Sequence, residues 1–134
     1  EALEQKLDGI IVSNTTLSSN GLNSTENREE TGGLSGAPLF ERSTIILARM
    51  RERVGADMPL IGVGGIDSAE TALTKIKAGA DLIQLYTGMI YRGPGLASEI
   101  VRGLSDAVKT EGVASISNLR DRDTKEWAAR RLPD

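Results

Sequence analysis

The chain has 134 residues, of which 39% are apolar and 26% charged, and its 19 acidic and 16 basic side chains give a formal net charge of −3. These values are typical of one soluble globular domain, and the charge offers no field that would favour nucleic acid. Cys and His are absent, which excludes a disulfide framework, a zinc finger, a thiol nucleophile and a catalytic histidine within this chain, and no metal site is predicted. No apolar stretch is long enough to span a bilayer.

Three short apolar runs are predicted to be strands. In chain order they lie at 9–14, 60–64 and 81–86, and a helix is predicted to end at 1–6, before the first of them. The runs are nearly continuous rather than alternating, which is typical of parallel strands buried on both faces.

Helical periodicity follows each strand. It covers residues 43–54, 68–78 and 94–112, and the second of these helices is expected to start with Asp67 as its cap and Glu70 completing a capping box. Strands that alternate with helices at this spacing predict βα units and a parallel sheet.

Three strands are too few for a closed (β/α)8 TIM barrel, which needs eight strands and ~250 residues. Because the chain opens inside a predicted helix, we expect an α/β fold that forms the C-terminal part, about three βα units, of such a barrel. The alternative is a small, complete three-stranded α/β domain, which would leave long apolar strand edges unpaired.

Polar residues follow the first strand, at the end where βα barrels carry their active sites. Ser13-Asn14-Thr15-Thr16 offers a flat amide and three hydroxyls that can pair with the rim of a planar heterocycle. Alternatively, these side chains satisfy the backbone of a turn. The loop at 17–38 is too long for a βα connection of ~2–6 residues; its polar first half fits a surface loop, and its glycine-rich second half fits a close approach of backbone to ligand.

Paired glycines end the second strand in Gly62-Val63-Gly64-Gly65-Ile66-Asp67-Ser68. Exposed amides at the start of a helix can bind an anion, and barrels commonly hold phosphate after strands seven and eight. The amides of Tyr86 and Thr87, after the third strand, could complete such a site from the neighbouring strand. The alternatives are a tight turn at the glycines and a packing role for Tyr86.

Together, these segments resemble the dihydroorotate dehydrogenase family, flavoproteins of pyrimidine biosynthesis. Order and spacing agree over about residues 7–112, and the first two segments resemble class 2, the membrane-associated, quinone-reducing branch. The matching strings are Ser13-Asn14-Thr15-Thr16, Glu30-Thr31-Gly32-Gly33-Leu34-Ser35-Gly36, Ile61-Gly62-Val63-Gly64-Gly65-Ile66 and Gln84-Leu85-Tyr86-Thr87-Gly88.

The resemblance implies a role for each matching residue. Ser13 would lie against the flavin, and Asn14 and Thr15 would bind the pyrimidine substrate. The residues implied to contact FMN, mainly through backbone amides, are Gly36, Gly65, Tyr86 and Thr87, the last three near its phosphate.

The implied reaction moves a hydride from dihydroorotate C6 to FMN N5 while a base removes the C5 proton, and a quinone then reoxidises the flavin. No residue here matches the family's catalytic serine or its flavin-contacting lysine, so the base is expected outside this chain and the chain alone is expected to be inactive. Its expected partners are dihydroorotate or orotate, a quinone and an N-terminal barrel half. Membrane association, peripheral at the cytoplasmic side of the inner membrane, would use segments not present here.

Residues 1–112 are therefore predicted to be the C-terminal part of an FMN-binding TIM barrel, and residues 113–134 a tail with a short helix around Trp127. The charged run Arg120-Asp121-Arg122-Asp123 is expected to form a solvated surface. Two other functions stay open: a phosphate-binding barrel enzyme without flavin, and a stand-alone ligand-binding or assembly module.

Overall fold

The computed structural model describes residues 4–5, 7–17 and 32–133. Three parallel strands form its sheet in the order β1-β2-β3, with Ile11 beside Ile61 and Ile61 beside Leu82. Their bounds are Ile10–Val12 for β1, Leu60–Val63 for β2 and Leu82–Gln84 for β3. The predicted parallel sheet is confirmed. The expected helix end at 1–6, apart from Glu4 and Gln5, and residues 18–31 of the long loop lie outside the described residues.

Five α-helices accompany the sheet in the described part of the chain: α1 at Phe40–Val54, α2 at Ala69–Lys77, α3 at Thr87–Arg92, α4 at Gly95–Thr110 and α5 at Thr124–Ala129. Short 3-10 turns lie at Ala37–Leu39 and Ile116–Leu119. One apolar cluster joins α1 to the strands through Ile45, Leu47 and Leu60, and a second joins α2 to α4 through Ala72 and Ile100. The helices therefore cover one side of the sheet. The carboxyl ends of the three parallel strands lie at the same edge.

The start of α2 differs from the sequence prediction. Ser68, not Asp67, caps the helix: its hydroxyl accepts from the Thr71 N–H at 3.2 Å, and the Thr71 hydroxyl accepts from the Ser68 N–H at 3.0 Å. Thr71 therefore takes the place predicted for Glu70. In a capping box, the cap residue and the residue three positions after it each accept a hydrogen bond from the other's backbone N–H, and Thr71 lies three positions after Ser68. The N–H groups of Asp67, Ser68 and Thr71 are thus bonded within the helix start itself.

The prediction that every strand is buried is wrong for the two outer strands. The side chain of Ile11 in β1 is 55% exposed and that of Leu82 in β3 is 60% exposed. Both strands lie at an edge of the sheet, and within the described residues no element covers these side chains from the other face. Only β2, between its two neighbours, has alternate residues that are fully buried.

The tail packs onto the sheet and helices rather than remaining solvated. Trp127 in α5 is buried against α1, with its ring 6.3 Å from that of Phe40 in an edge-to-face arrangement. Arg120 forms an ion pair with Asp81, which directly precedes β3. The expectation of a solvated charged run is therefore wrong for Arg120, because a carboxylate distant in sequence supplies its partner.

Candidate ligand site at the carboxyl ends of the strands

A cavity of about 540 Å³ opens where the three strands end. This volume falls in the range of small-molecule sites, roughly 300–1,000 Å³. Every site residue predicted from the sequence lines it: Ser13, Asn14, Thr15, Gly36, Gly65, Tyr86 and Thr87. The structure thus brings together four segments that are separated by up to 70 residues in the chain.

The end of β1 supplies the polar side chains of the cavity. Asn14 and Thr15 are exposed, and Ser13 is half-buried, following a cis peptide bond after Val12. The Asn14 side-chain oxygen accepts from the Thr15 N–H at 2.8 Å. Because that bond fixes the oxygen, the amide NH₂ of Asn14 is oriented away from the turn, and its two hydrogens are available to a ligand.

The end of the long loop returns to this edge of the sheet. Leu34 and Thr16 exchange backbone hydrogen bonds of 2.7 and 3.1 Å, which ties the loop to the residues after β1. Next to it, the Thr87 hydroxyl donates to the Ser35 hydroxyl at 3.1 Å. Gly36 therefore lies between the polar end of β1 and the start of α3. This is the position expected for a residue whose backbone faces a ligand in the cavity.

Glycine allows the loops after β2 and β3 to pack closely. Gly65 has a φ of +73°, and a Cβ built on it would lie 2.4–2.7 Å from atoms of Phe40. A Cβ on Gly88 would lie 2.4 Å from the carbonyl oxygen of Ile66. No side chain fits at either position, so glycine is required where the loop after β2 packs against the start of α1 and where α3 packs against that loop.

The cavity can bind an anion through backbone amides. The N–H groups of Gly65, Ile66, Tyr86 and Thr87 have no acceptor among residues 4–5, 7–17 and 32–133. Of the side chains that line the cavity, none is charged. Unpaired amides at a concave surface attract a phosphate or carboxylate, so these residues fit a phosphate-bearing ligand. Gly65 and Ile66 lie before α2, at whose start the N–H groups of Asp67, Ser68 and Thr71 are already bonded to the hydroxyls of Ser68 and Thr71.

One residue close to this loop was missed by sequence reasoning, which gave Lys75 no role. Lys75 in α2 is fully buried, and its ammonium donates to the Ser43 hydroxyl at 2.6 Å. Burial lowers the pKa of Lys75 from 10.5 to about 7. A usable signal is that Lys75 lies three residues after Ala72 and directly before Ile76, both of which are buried, so it shares the inward face of the helix.

The chain matches known proteins along most of its length. A family model described as Dihydroorotate dehydrogenase matches residues 1–108. Relatives from Brucella anthropi and Brucella ovis, each named dihydroorotate dehydrogenase (quinone), are 81% identical over 132 residues, which is 98% of this chain and 36% of each relative. The chain thus spans little more than a third of the length of these curated relatives, in their C-terminal part.

Two crystal structures of the Eimeria tenella enzyme have the same fold as this chain. One is described as ligand-free DHODH and the other as DHODH in complex with ferulenol; each has a TM-score of 0.84 and 37% identity. The alignments cover 91% of this chain and 34% and 32% of those chains. The three βα units therefore correspond to part of a TIM barrel, as predicted. By the extent of the family match and this shared fold, the chain belongs to the dihydroorotate dehydrogenase family.

Proposed function

We propose that this chain supplies the phosphate-binding and pyrimidine-binding part of the active site of a quinone-reducing dihydroorotate dehydrogenase, which oxidises dihydroorotate to orotate in the synthesis of UMP. The observation that carries the proposal is the convergence of Asn14, Gly65 and Thr87, from three different strand ends, on one uncharged cavity. The name of the Brucella relatives, dihydroorotate dehydrogenase (quinone), supports it.

FMN is the proposed cofactor, and this chain would hold it mainly by its backbone. The unpaired amides of Gly65, Tyr86 and Thr87 suit the phosphate, since they are neutral donors that need no solvent reorganisation. Gly36 lets the loop backbone approach the ligand, and Ser13 would lie against the ring. When bound, FMN accepts the hydride from the substrate and passes the electrons to quinone.

The substrate would be held by Asn14 and Thr15. The free NH₂ of Asn14 can donate to the carbonyl or carboxylate oxygens of dihydroorotate, and the Thr15 hydroxyl adds a donor and an acceptor. We assign the catalytic base to a part of the enzyme outside this chain.

The rest of the barrel and the membrane are the other proposed partners. Residues 1–112 would complete a barrel with an N-terminal portion, and residues 113–134 would form a tail on its outside. Within the described residues, no helix combines the length and apolar character needed to cross a membrane. We propose peripheral association with the cytoplasmic face of the inner membrane, through segments other than those in this chain.

A chimera tests the proposed function. It consists of the Brucella anthropi relative with its matching segment of 132 residues replaced by this sequence, at 81% identity. We expect the purified chimera to carry FMN, seen by its absorbance, and to reduce a quinone only when dihydroorotate is present. A colourless chimera would instead favour a phosphate-binding barrel enzyme without flavin.

A substitution in the chimera separates the proposed substrate role from flavin binding. Asn14→Ala is expected to keep FMN and to lower the turnover of dihydroorotate by roughly 10²-fold, because the substrate loses its orientation. Asn118→Ala, which removes an amide that caps a 3-10 turn far along the chain, is the matched control and should leave turnover unchanged. Full turnover in Asn14→Ala would contradict the proposed role.

A further inference from the structure

Lys75 is a buried cation with no acidic partner. Its side chain is fully buried, and no carboxylate pairs with it in the described parts of the chain. Its contacts are the Ser43 hydroxyl at 2.6 Å and the Phe40 ring, whose centroid lies 5.1 Å from the ammonium. Since a buried charge is costly unless an opposite charge or strong acceptors compensate it, this position calls for an explanation.

The hydrogen bonds lead from Lys75 to the loop after β2. Below its pKa of about 7, Lys75 is an ammonium, which only donates, so the Ser43 oxygen accepts from Lys75 and its one hydrogen is left for a carbonyl. The Ser43 oxygen lies 3.1 Å from the Phe40 carbonyl oxygen and 3.1 Å from the Gly64 carbonyl oxygen, so its hydrogen can be donated to either one. The Phe40 carbonyl already accepts from the Thr44 hydroxyl at 2.6 Å. The Gly64 carbonyl is therefore the better acceptor for Ser43.

The Gly64 carbonyl and the Gly65 N–H belong to the same peptide unit. In a planar trans peptide these two groups point in opposite directions. Ser43 holds the carbonyl from the side of α1 and α2, so the Gly65 N–H points away from them, and Gly65 lines the cavity. A bond to the carbonyl also polarises the peptide, which makes its N–H a stronger donor to an anion.

We propose that Lys75 is a positioning residue for anion binding, which acts through Ser43 to aim the Gly64–Gly65 peptide at the FMN phosphate and places a positive charge behind it. The inference rests on the proposed function, because it takes the FMN phosphate as the anion. Lys75 does not touch the ligand in this arrangement: its charge is separated from the cavity by Ser43 and one peptide unit.

The test compares FMN with riboflavin, which has the same ring and no phosphate. Both ligands are titrated into the chimera after its flavin has been removed, and flavin fluorescence gives the dissociation constants. Lys75→Met is expected to weaken FMN binding by roughly tenfold, since a charge acting through the protein interior is lost. Riboflavin binding should stay within about twofold of the parent, so the ratio of the two affinities falls. A purely structural role would change both affinities alike.

Two further variants keep the test decisive. Lys77→Met removes the neighbouring lysine of α2, which pairs with Glu111 at the surface, and should leave the ratio unchanged. If Lys75→Met does not fold, as judged by circular dichroism, Ser43→Ala retains the lysine and breaks its link to Gly64, and it should also lower the ratio. The inference would be overturned if the ratio of FMN to riboflavin affinity in the folded Lys75→Met chimera equalled that of the parent. If Lys75→Met cannot be folded, a parent-like ratio in Ser43→Ala would overturn it. Either result would leave the proposed function standing. A chimera that binds no flavin would overturn both.

Discussion

At the scale of the residue, Gly65 is a position where both the backbone conformation and the space around it exclude a side chain. We expect Gly65→Ala in the chimera to lower the free energy of unfolding by roughly 2–4 kcal/mol and to abolish flavin binding, because the new Cβ meets Phe40 and the φ of +73° disfavours a side chain. Gly55→Ala is the control, since Gly55 has a φ of +79° but open space around it. Chemical unfolding and flavin absorbance measure both effects. If the two variants behaved alike, the close contact with Phe40 would not matter.

The residues of the site differ in how far the sequence alone predicts them. Asn14, Gly65 and Thr87 were found because parallel strands end at one edge of a sheet, so polar or glycine residues after each strand must meet there. Lys75 was not found, because its place on the inward face of α2, beside Ala72 and Ile76, is a weak signal for a residue type that usually faces solvent. Its burial depends on Ser43 and Phe40, which lie more than 30 residues earlier.

At the scale of the element, Asp81 joins three segments at the amino end of β3. It accepts from the Leu60 N–H and forms ion pairs with Arg51 of α1 and Arg120 of the tail. Burial raises the pKa of Asp81, but the bonds from Leu60, Arg120 and Arg51 outweigh it and hold that pKa below 3.8. A folded-state pKa below the unfolded one stabilises the fold at neutral pH, and this contribution is lost as the pH falls through the lowered value.

We therefore expect Asp81→Asn in the chimera to lower the free energy of unfolding at pH 7 by roughly 2–4 kcal/mol, since it leaves Arg51 and Arg120 with Asp121 as their one acidic partner among the described residues. The difference from the parent should narrow as the pH falls through the lowered pKa of Asp81, where the parent carboxylate also becomes protonated. Urea unfolding across pH 2.5–7 measures the difference in the free energy of unfolding between the variant and the parent. Asp106→Asn, which removes a highly exposed ion pair with Lys109, should cost almost nothing. An Asp81→Asn variant as stable as Asp106→Asn at pH 7 would refute the expectation.

The elements themselves were predicted with unequal success for physical reasons. The periodicity placed α1 and α4 within a few residues of their bounds, because each has at least four turns of one apolar face. α3 was missed, since its six residues are too few to show a period, and Thr87 was placed in the turn after a strand. Arg120 was placed in solvent because its partner, Asp81, is 39 residues away in the chain.

At the scale of the whole molecule, one side of the sheet is open and apolar. Ile11 and Leu82, in register on the outer strands, are 55% and 60% exposed. At the β3 edge, an apolar groove of about 480 Å³ lies between β3 and α4, with Val101 66% exposed. Both outer strands also have unpaired edges among the described residues. Surfaces of this kind are covered in stable proteins, because exposed apolar patches and strand edges promote association.

We expect the 134-residue chain expressed alone to self-associate and to bind a hydrophobic dye, and to become a soluble, flavin-containing heterodimer when co-expressed with the N-terminal remainder of the Brucella anthropi relative. Light scattering after gel filtration and flavin absorbance distinguish the two states. Leu82→Lys should reduce the association of the isolated chain, because it charges the exposed edge. It should also impair the heterodimer if, as we propose, the same edge pairs with strands of the N-terminal remainder. An isolated chain that is monomeric and unfolds cooperatively would instead support a stand-alone module, since its open face would then need no partner.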